Sequence, residues 1–450
     1  MIDELLNKDK KELEVKDVID KASRIISERI GIVRNIKRTA WYNDEPKMFH
    51  FNIEMCDTSV FSEVENKSNF PGGASFDRER AFVKALGEAI ERYCLGIYNK
   101  KHMIKSSYSK LGDKALDPNL IVNFSETQLK NKNFKMFKFT NNSEFRWVEG
   151  YSITDDKPIF IPAQLVYVPY NYKNEKIIRF PISTGAAAGT SISSALLRGI
   201  CEVIERDAFM INYLNMLKRE KVNPTTNSTS DYINHIVDVY ELYKLELHTI
   251  NISTDIPVYT FLTILIDRSK MGPAVTIGLK TSFNPQEAFI GSVEEAQPVR
   301  VWIRDLMYKQ PKKIEEIRKR QFLINTFEER GLLWSDYSMI KYLNFWIKNS
   351  KEKKLNYFKN LSTNAKKDLK KLIKFLKNEK YNIVFVDITT RDIEEIGFKV
   401  VKVIIPEMQP LYIDERFKYL GGRRLYSVPL ILGYKPKSEE NFNKIPHPFL

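Results

Sequence analysis

The pattern of apolar and polar residues along the chain predicts three long helices. Residues 77–98, 192–217 and 284–307 repeat apolar side chains at helical spacing, with charged side chains on the opposite face. A loop of small residues precedes each of the first two helices, Gly72–Ser75 before the first and Thr184–Ser191 before the second. The sequence therefore predicts the same order twice, a loop of small residues followed by a long helix.

Runs of β-branched and aromatic residues predict strands around these helices. The predicted strands lie within residues 48–61, 134–139, 145–153, 158–170, 256–266, 274–281, 381–389, 398–406 and 429–433. Long helices combined with such runs predict an α+β (mixed α/β) fold, with the helices packed on antiparallel or mixed β-sheets. There is no tandem repeat of fixed period and no low-complexity linker.

The composition is that of an ordinary soluble globular protein. The 450 residues are 43% hydrophobic and 28% charged, which allows two to three domains or one elaborate domain. No apolar run approaches the ~20 residues that span a bilayer, and the charged N-terminus lacks a signal-peptide core. Cys56, Cys94 and Cys201 have no disulfide or zinc-site spacing. We therefore predict a cytoplasmic protein without a membrane association.

The net charge of +14 comes mainly from one stretch of the chain. Residues 305–380 contain 20 Lys and Arg against 9 Asp and Glu, a local excess of +11. This basic helical insert suits either a polyanion-binding surface or a lysine-rich solvated face, and we favour the solvated face. No zinc-finger, KH or RRM signature is present, so we predict no nucleic-acid partner.

One charge pattern occurs twice, in KALGEAIER at 84–92 and in RGICEVIER at 198–206. On a helical wheel the charged residues of each copy share one sector and the apolar residues the other. The charged residues are Lys84, Glu88, Glu91 and Arg92 in the first copy, and Arg198, Glu202, Glu205 and Arg206 in the second. A weaker echo, Glu294-x-x-Gln297-x-x-Arg300, lies on the third helix.

A single motif of this kind is typical of a solvated helix, where a Glu–Arg pair contributes only ~0.2–0.5 kcal/mol. Two copies with matching apolar faces favour a shared function instead. Four carboxylates on facing helices repel one another unless cations lie between them, and Mg²⁺ prefers oxygen ligands together with phosphate. Arginines beside such a site bind phosphate bidentately. The pattern therefore indicates a nucleoside triphosphate held through Mg²⁺.

Other nucleotide and catalytic signatures are missing from the sequence. GAAAGTS lacks the lysine of a P-loop, no G-x-G-x-x-G follows a strand, and there is no H-E-x-x-H. We interpret the histidines as ordinary core or surface residues, and Cys94 and Cys201 as small buried side chains rather than nucleophiles.

Five motifs in order resemble the YcaO superfamily: GGASFDRERAFVKALGEAIERY, STGAAAGTSISSALLRGICEVIERDAF, EEAQPVR, VVKVIIPEMQPL and YLGGRRLYSVPL. The resemblance is closest to the SagD-like D-protein branch, which makes thiazole and oxazole rings in peptides. It implies a YcaO domain over residues 66–450, with the insert at 305–380 and a proline-containing tail at 440–450. Residues 1–65 resemble the N-terminal extension of that branch. The implied fold surrounds a central nucleotide site.

The resemblance implies an ATP- and Mg²⁺-dependent cyclodehydratase. A Cys, Ser or Thr side chain of a ribosomal precursor peptide attacks the preceding backbone carbonyl, and the former carbonyl oxygen takes the γ-phosphoryl group of ATP. Phosphate then departs, and an azoline ring is formed. Phosphorylation converts a poor leaving group into a good one, and the protein mainly positions groups and neutralises charge.

The resemblance also assigns roles to individual residues. The implied Mg²⁺ ligands are Glu88, Glu91, Glu202 and Glu205. The implied nucleotide-binding residues are Lys84, Arg92, Arg198, Arg206, Ser191, Glu294 and Gln297. The loops Gly72–Ser75 and Thr184–Ser191 are expected to supply backbone N–H groups at helix starts for an anion or the substrate.

Two positions depart from the family pattern. Lys84 stands where many members have Ser, so it either contacts a phosphate or is exposed. Ring-forming members commonly end in Pro-x-Pro-x-Pro, and this chain keeps two of those prolines. We expect an ordered tail, because proline restricts the backbone. This tail would bring four residues near the reacting amide: Pro446, His447, Pro448 and Leu450. His447 or the terminal carboxylate would then act as a general base.

The expected partners are the precursor peptide and a separate E1-like, leader-binding C-protein. A homodimer is expected by analogy, and a flavin dehydrogenase that oxidises the rings stays open. Two alternatives also stay open. A YcaO protein supplied with sulfide makes a thioamide, usually beside a TfuA-type partner, and a non-catalytic ATP-binding scaffold would bind ATP without consuming it.

Overall fold

The protein is described here from a computed structural model. The described residues are 2–7, 9, 11–59, 64, 71–225, 230–348 and 351–450. Two compact units account for the chain. The first unit comprises Met1–Ala40, Phe49–Val203 and Thr363–Met408, and the second comprises Trp41–Met48, Ile204–Ser362 and Gln409–Leu450.

The described helices vary greatly in length, and the three longest carry the sequence motifs. In chain order they are α1 Ile2–Asn7, α2 Val15–Ala22, α3 Arg78–Gly96, α4 Tyr108–Leu111, α5 Glu126–Lys130, α6 Ile192–Asn215, α7 Asp231–Leu242, α8 Pro285–Lys309, α9 Pro311–Lys319, α10 Phe327–Trp334, α11 Asn344–Ile347, α12 Ala365–Asn378, α13 Arg391–Glu395 and α14 Arg424–Ile431.

The described strands form three sheets. In chain order they are β1 Val33–Arg38, β2 Phe49–Met55, β3 Gly72–Ser75, β4 Ile104–Ser107, β5 Glu144–Ser152, β6 Lys157–Pro162, β7 Ala186–Gly189, β8 Lys221–Asn223, β9 Leu245–Asn251, β10 Tyr259–Asp267, β11 Val275–Ser282, β12 Glu352–Lys354, β13 Val384–Asp387 and β14 Lys399–Ile404.

The first unit contains two antiparallel sheets with α3 packed against both. One sheet has the order β1-β2-β3, and the other has the order β4-β5-β13-β14-β7, with β6 paired to β5. Helix α3 contacts β2, β3, β7 and β14. Its apolar face, which includes Ala85, Leu86, Ala89 and Ile90, is fully buried, so the polar face with the glutamates is fixed by packing on the other side.

The second unit is built on a mixed sheet of order β11-β10-β9-β8-β12, in which only the β8–β12 pair is parallel. Strand β10 is buried along almost its whole length, as expected for a central strand covered on both faces. Helix α8 packs on β10 and β11. The predicted α+β class, with long helices on antiparallel and mixed sheets, is confirmed.

Several local predictions were wrong. Residues 134–139 were expected to be a strand, but Lys132–Phe137 form a 3₁₀ helix, and residues 429–433 fall largely within helix α14. Both are short apolar runs, whose periodicity does not separate strand from helix. Conversely, the two small-residue loops contain strands β3 and β7, because small side chains let these strands lie close to the helices that follow.

The predicted insert is not one structural block. Pro311–Ser362 belongs to the second unit, whereas α12 belongs to the first, and the segment contains strand β12 as well as helices. The boundary expected between residues 65 and 66 lies outside the described residues. Among the residues that the structure describes, none of the helices has the length and apolarity that crossing a membrane requires.

Candidate functional site

The first copy of the charge motif places Glu88 against a backbone N–H of the strand before its helix. Asp77 caps α3 by accepting a hydrogen bond from the Arg80 N–H. Glu88 Oε2 accepts from the Gly72 N–H at 3.0 Å, and Glu88 Oε1 accepts from Arg92 Nε and Nη2 at 2.9 and 2.8 Å. The carboxylate is therefore held by both its strand and its helix.

The second copy repeats this contact with Glu202 on α6. Glu202 Oε2 accepts from the Gly185 N–H at 3.1 Å. Gly185 has φ of +87°, and a Cβ atom there would lie 2.2 Å from the carbonyl oxygen of Val403. Only glycine tolerates both the positive φ and this approach. The turn before β7 is therefore shaped to direct its N–H at the carboxylate.

The basic residue that precedes each glutamate by four positions also has the same contact in both copies. Lys84 Nζ donates to the Ala74 carbonyl at 3.2 Å, and Arg198 Nη1 donates to the Ala188 carbonyl at 3.3 Å. Each basic side chain thus ties its helix to the strand before it. The repeated sequence pattern corresponds to a repeated strand–helix construction in the first unit.

Glu91 lies close enough to the other two carboxylates for their charges to act on it. Burial raises the pKa of Glu91 well above its usual range, and the charges of Glu202 and then Glu88 raise it further. Arg92 and Lys402 oppose this increase. The first unit therefore contains a group of three carboxylates, which we call the acidic group: Glu88, Glu91 and Glu202.

Lys402 is a residue near the acidic group that the sequence analysis did not single out. It is 2% exposed, and its Nζ donates to the carbonyls of Ile182 and Thr184, both at 2.6 Å. Burial lowers the pKa of Lys402 to about 7, although Glu202 raises it, and Arg179 lowers it further. A single lysine inside the apolar run VVKVII was the signal that could have identified it.

A second set of charged residues lies in the second unit. Arg206 Nη1 donates to Glu205 Oε1 at 2.8 Å, and its Nη2 lies 3.9 Å from Glu295 Oε1. Burial raises the pKa of Glu295 to about 7, and Arg206 lowers it while Glu205 raises it. Glu295 also accepts from the Leu279 N–H. The carboxylate that the structure brings to Glu205 is thus Glu295, which the sequence analysis missed.

Glu294 and Gln297 lie on the same helix, α8, in buried surroundings. Glu294 is 6% exposed and Gln297 is 2% exposed. The Gln297 amide accepts from Tyr240 OH at 3.1 Å and donates to Glu45 Oε2 at 3.3 Å. Glu45 also pairs with Arg300, at 2.7 Å. Gln297 therefore belongs to a buried polar network that includes the segment Trp41–Met48.

Ser191 caps the helix that carries Glu202. Its Oγ accepts from the Ser194 N–H at 3.1 Å, and its carbonyl accepts from Ser194 Oγ at 3.1 Å. The Asp9 carboxylate then accepts from the N–H groups of Ile192 and Ser193, at 2.9 and 2.8 Å. The first N–H groups of α6, which directly follow the loop Thr184–Ser191, are thus engaged by a carboxylate from the N-terminal region of the chain.

The tail lies inside the second unit. Pro446, His447 and Pro448 are buried, and Leu450 is half-buried. The His447 ring is fully buried with Nε2 2.7 Å from the Tyr412 carbonyl, so Nε2 carries the proton. Burial, followed by the charge of Arg330, holds the His447 pKa well below its usual range. The general-base assignment for this ring stays a prediction.

The acidic group fits Mg²⁺ in the type of its donor atoms. Carboxylate oxygens are the ligands that this ion prefers. Burial first, and then the charges of Glu202 and Glu88, raise the pKa of Glu91, and a bound cation would oppose both effects. Over the described part of the chain, no three His, Cys, Asp or Glu side chains stand in a geometry that could hold a metal ion. Glu88 and Glu202 already accept hydrogen bonds from backbone N–H groups.

Sequence comparisons identify relatives across most of the chain. A family model described as "YcaO cyclodehydratase, ATP- and Mg²⁺-binding" matches residues 72–409. An uncharacterized protein of Methanothermobacter thermautotrophicus is 26% identical over 363 residues, covering 79% of this chain and 85% of that protein. An uncharacterized protein in the tfuA 3′ region of Rhizobium leguminosarum bv. trifolii is 28% identical over 124 residues, covering 27% of this chain and 29% of that protein.

Solved structures share the fold. A heterocyclase in complex with substrate and cofactor superimposes with a TM-score of 0.80 at 19% identity, covering 99% of this chain but 60% of the heterocyclase. YcaO from Methanopyrus kandleri, bound with AMPPCP and Mg²⁺, gives 0.61 at 14% identity, covering 90% and 94%. The E. coli microcin synthetase McbBCD complex with pro-MccB17 bound gives 0.55 at 12% identity, covering 86% and 92%.

The family model spans both strand–helix copies, the motif on α8 and strand β14, where Lys402 lies. Those elements carry the acidic group and the charged residues around Arg206. The chain belongs to the YcaO family, which binds ATP and Mg²⁺.

Proposed function

We propose that this protein is an ATP- and Mg²⁺-dependent cyclodehydratase that forms azoline rings from Cys, Ser or Thr residues of a ribosomal precursor peptide. The observation that carries the proposal is the matched construction of the two strand–helix copies, in which Glu88 and Glu202 each accept a hydrogen bond from a glycine N–H. Family membership adds nucleotide binding to this geometry.

The reaction is balanced as a dehydration coupled to ATP hydrolysis. The side-chain sulfur or oxygen bonds to the preceding carbonyl carbon and loses its proton. The former carbonyl oxygen accepts the γ-phosphoryl group, ADP departs, and the C–O bond then breaks to release phosphate. The amide N–H proton is lost as the C=N bond of the ring forms. In such a transfer the protein positions reactants and stabilises charge.

Different residues of the chain would bind the metal ion, bind the phosphates and hold the strands in place. Glu88, Glu91, Glu202 and Glu205 would hold Mg²⁺, which when bound neutralises phosphate charge. Arg92 and Arg206 would contact phosphate oxygens through their planar guanidinium groups. Lys84 and Arg198 act through the strands that they hold. Glu294, Gln297 and Ser191 stay assigned to the surroundings of the nucleotide by resemblance.

Calorimetric titration with a non-hydrolysable ATP analogue and Mg²⁺ tests the nucleotide site. Glu88→Gln and Glu202→Gln keep the shape of each side chain but remove its charge, so we expect each to weaken Mg²⁺-nucleotide binding at least about tenfold, the effect of 1.4 kcal/mol. Glu79→Gln, on the exposed first turn of α3, is the matched control. Equal affinities in all three variants would contradict the assignment.

Mass spectrometry of the peptide product tests the chemistry. With the precursor peptide, the leader-binding C-protein, ATP and Mg²⁺ present, we expect each modified residue to lose the mass of one water. A flavin dehydrogenase, if it belongs to the system, would remove two further hydrogens per ring. Bound ATP that is never consumed under these conditions would favour the scaffold interpretation instead.

Thioamide formation is the second candidate. The observation that favours it is the relative in the tfuA 3′ region, which is 28% identical over 124 residues. With sulfide in the assay, this reaction replaces one backbone oxygen by sulfur, and that oxygen leaves on phosphate. Each modified residue therefore gains the mass difference between sulfur and oxygen instead of losing the mass of one water. The same mass measurement therefore separates the two candidates.

A further inference from the structure

Helix α10, within the predicted insert, contacts the C-terminal tail through two polar side chains. Trp334 Nε1 donates to the Pro446 carbonyl at 2.9 Å, and Arg330 Nη1 donates to the His447 carbonyl at 3.0 Å. Trp334 is 1% exposed and Arg330 is 0% exposed. Two consecutive tail carbonyls are therefore satisfied inside the protein by one short helix.

Arg330 joins α10 to two other segments of the second unit, the tail and the stretch that contains Ile413 and Glu415. Besides the tail carbonyl, it pairs with Glu415 Oε1 at 2.6 Å and donates to the Ile413 carbonyl. These acceptors match the Nη1 and Nη2 groups, whereas the buried Nε has no hydrogen-bond partner among the described residues. A buried guanidinium group is costly unless most of its donors are matched. Its planar fork reaches all three acceptors, whereas the single ammonium group of lysine would not keep the same geometry.

Gly331 allows the tail to lie close to α10. A Cβ atom at this position would lie 2.1 Å from Cδ1 of Ile303 and 3.1 Å from Cδ1 of Leu450. Any larger residue would have to displace the core side chain and would crowd the last residue of the chain. The terminal residue is thus placed by direct packing on the helix.

The tail also forms hydrogen bonds with the C-terminal half of α6. Tyr213 OH donates to the Pro446 carbonyl at 3.1 Å, and Asn443 N donates to the Leu214 carbonyl at 2.8 Å. Phe449 is 3% exposed, and its ring centre lies 4.1 Å from Cζ of Arg206. The clamped tail therefore ends beside the guanidinium group that pairs with Glu205.

We propose that α10 is a clamp that holds the tail against α6, with Arg330 and Trp334 as positioning residues for tail residues 446–450. The inference rests on the proposed function for its effect on catalysis, but the clamp itself is a physical contact. The clamp gives the insert a role that does not depend on its excess of lysine, because Arg330 and Trp334 are buried residues of the insert.

Digestion with a carboxypeptidase tests the contact independently of any activity. Trp334→Phe removes one hydrogen bond and keeps the aromatic ring, so the tail opens more often. Because cleavage follows the open population, we expect release of Leu450 and Phe449 to accelerate about fivefold, the effect of ~1 kcal/mol. Arg330→Lys is expected to accelerate release further, and Arg318→Met, on exposed α9, is the control. Release at the control rate in both clamp variants would overturn the proposal.

Steady-state kinetics of ring formation test the positioning role. In Trp334→Phe we expect kcat for the peptide, expressed per folded molecule as measured by circular dichroism, to fall about fivefold while KM for ATP changes less than about twofold, because Trp334 holds the tail. Faster tail release with unchanged kcat would overturn the positioning role. If the wild-type protein makes no rings, the proposed function fails, and tail release still decides whether the clamp exists.

Discussion

The two copies of the charge motif differ most in what surrounds their arginines. On α3, Arg92 pairs with Glu88, four residues earlier, and the two side chains are 34% and 32% exposed. On α6, Arg206 pairs with its neighbour Glu205, and these side chains are 11% and 8% exposed. The same sequence motif thus forms a partly solvated ion pair in the first unit and a largely buried ion pair in the second. Glu295 and Phe449 lie beside the second pair.

This difference shows that a repeated motif fixes a repeated backbone construction without fixing the partner of each side chain. In both copies a glycine N–H binds the first glutamate. The arginine then pairs with whichever carboxylate the neighbouring elements leave within reach, and burial decides how much that pair contributes.

The largest expected contrast concerns the two glycines. Gly185→Ala forces a Cβ to within 2.2 Å of the Val403 carbonyl at φ +87°, whereas in Gly72→Ala the nearest atom lies at 3.1 Å. We expect Gly185→Ala to lower the free energy of unfolding by about 3 kcal/mol and Gly72→Ala by less than about 1 kcal/mol. Urea denaturation measures both, and equal losses would show that the two turns are not built differently.

The arginines should give a smaller contrast. Arg206→Met removes the cation that pairs with the largely buried Glu205 carboxylate and lies near the partly exposed Glu295 carboxylate, so we expect a loss of about 2–3 kcal/mol in the free energy of unfolding without nucleotide. Arg92→Met removes a partly exposed pair, with an expected loss of about 0.5–1 kcal/mol. A larger loss in Arg92→Met than in Arg206→Met would show that the partly exposed pair on α3 stabilises the fold more than the pair on α6.

The smallest expected effect is a pH dependence found beside the first copy. His50 Nε2 lies near Gly72, and burial lowers the pKa of His50 to about 4. Because the unfolded chain binds the proton with a pKa of about 6.5, it holds more protons between pH 4 and 6.5, and stability falls as the pH drops through this range. We expect about 1–2 kcal/mol of this loss to disappear in His50→Gln, allowing for partial exposure.

The control for His50→Gln is its behaviour above pH 7. There the imidazole is neutral in both states, so the difference in unfolding free energy between variant and wild type should be constant. Parallel pH profiles of the two proteins from pH 7 down to pH 4, followed by thermal unfolding, would contradict the burial of His50.

The fold class and several residues of the candidate site could be predicted from local patterns. Helical spacing identified α3, α6 and α8, and the repeated motif identified Glu88 and Glu202, because the face on which a helical residue lies depends only on its spacing. Short segments were harder. The apolar run at 429–433 lies largely in a helix, and the small-residue loop at 186–189 is a strand, since a few residues carry too little periodicity to separate the two.

The sequence by itself determined which side chains share a helix face, the order of the two loop–helix segments and membership of the YcaO family. Only the tertiary structure decided that Lys402 lies by the acidic group, that Arg206 lies by both Glu205 and Glu295, and that α10 contacts the tail. The reason is physical. Residue spacing sets local geometry, whereas the partner of a charge is chosen by the long-range packing that brings distant segments together and removes water from between them.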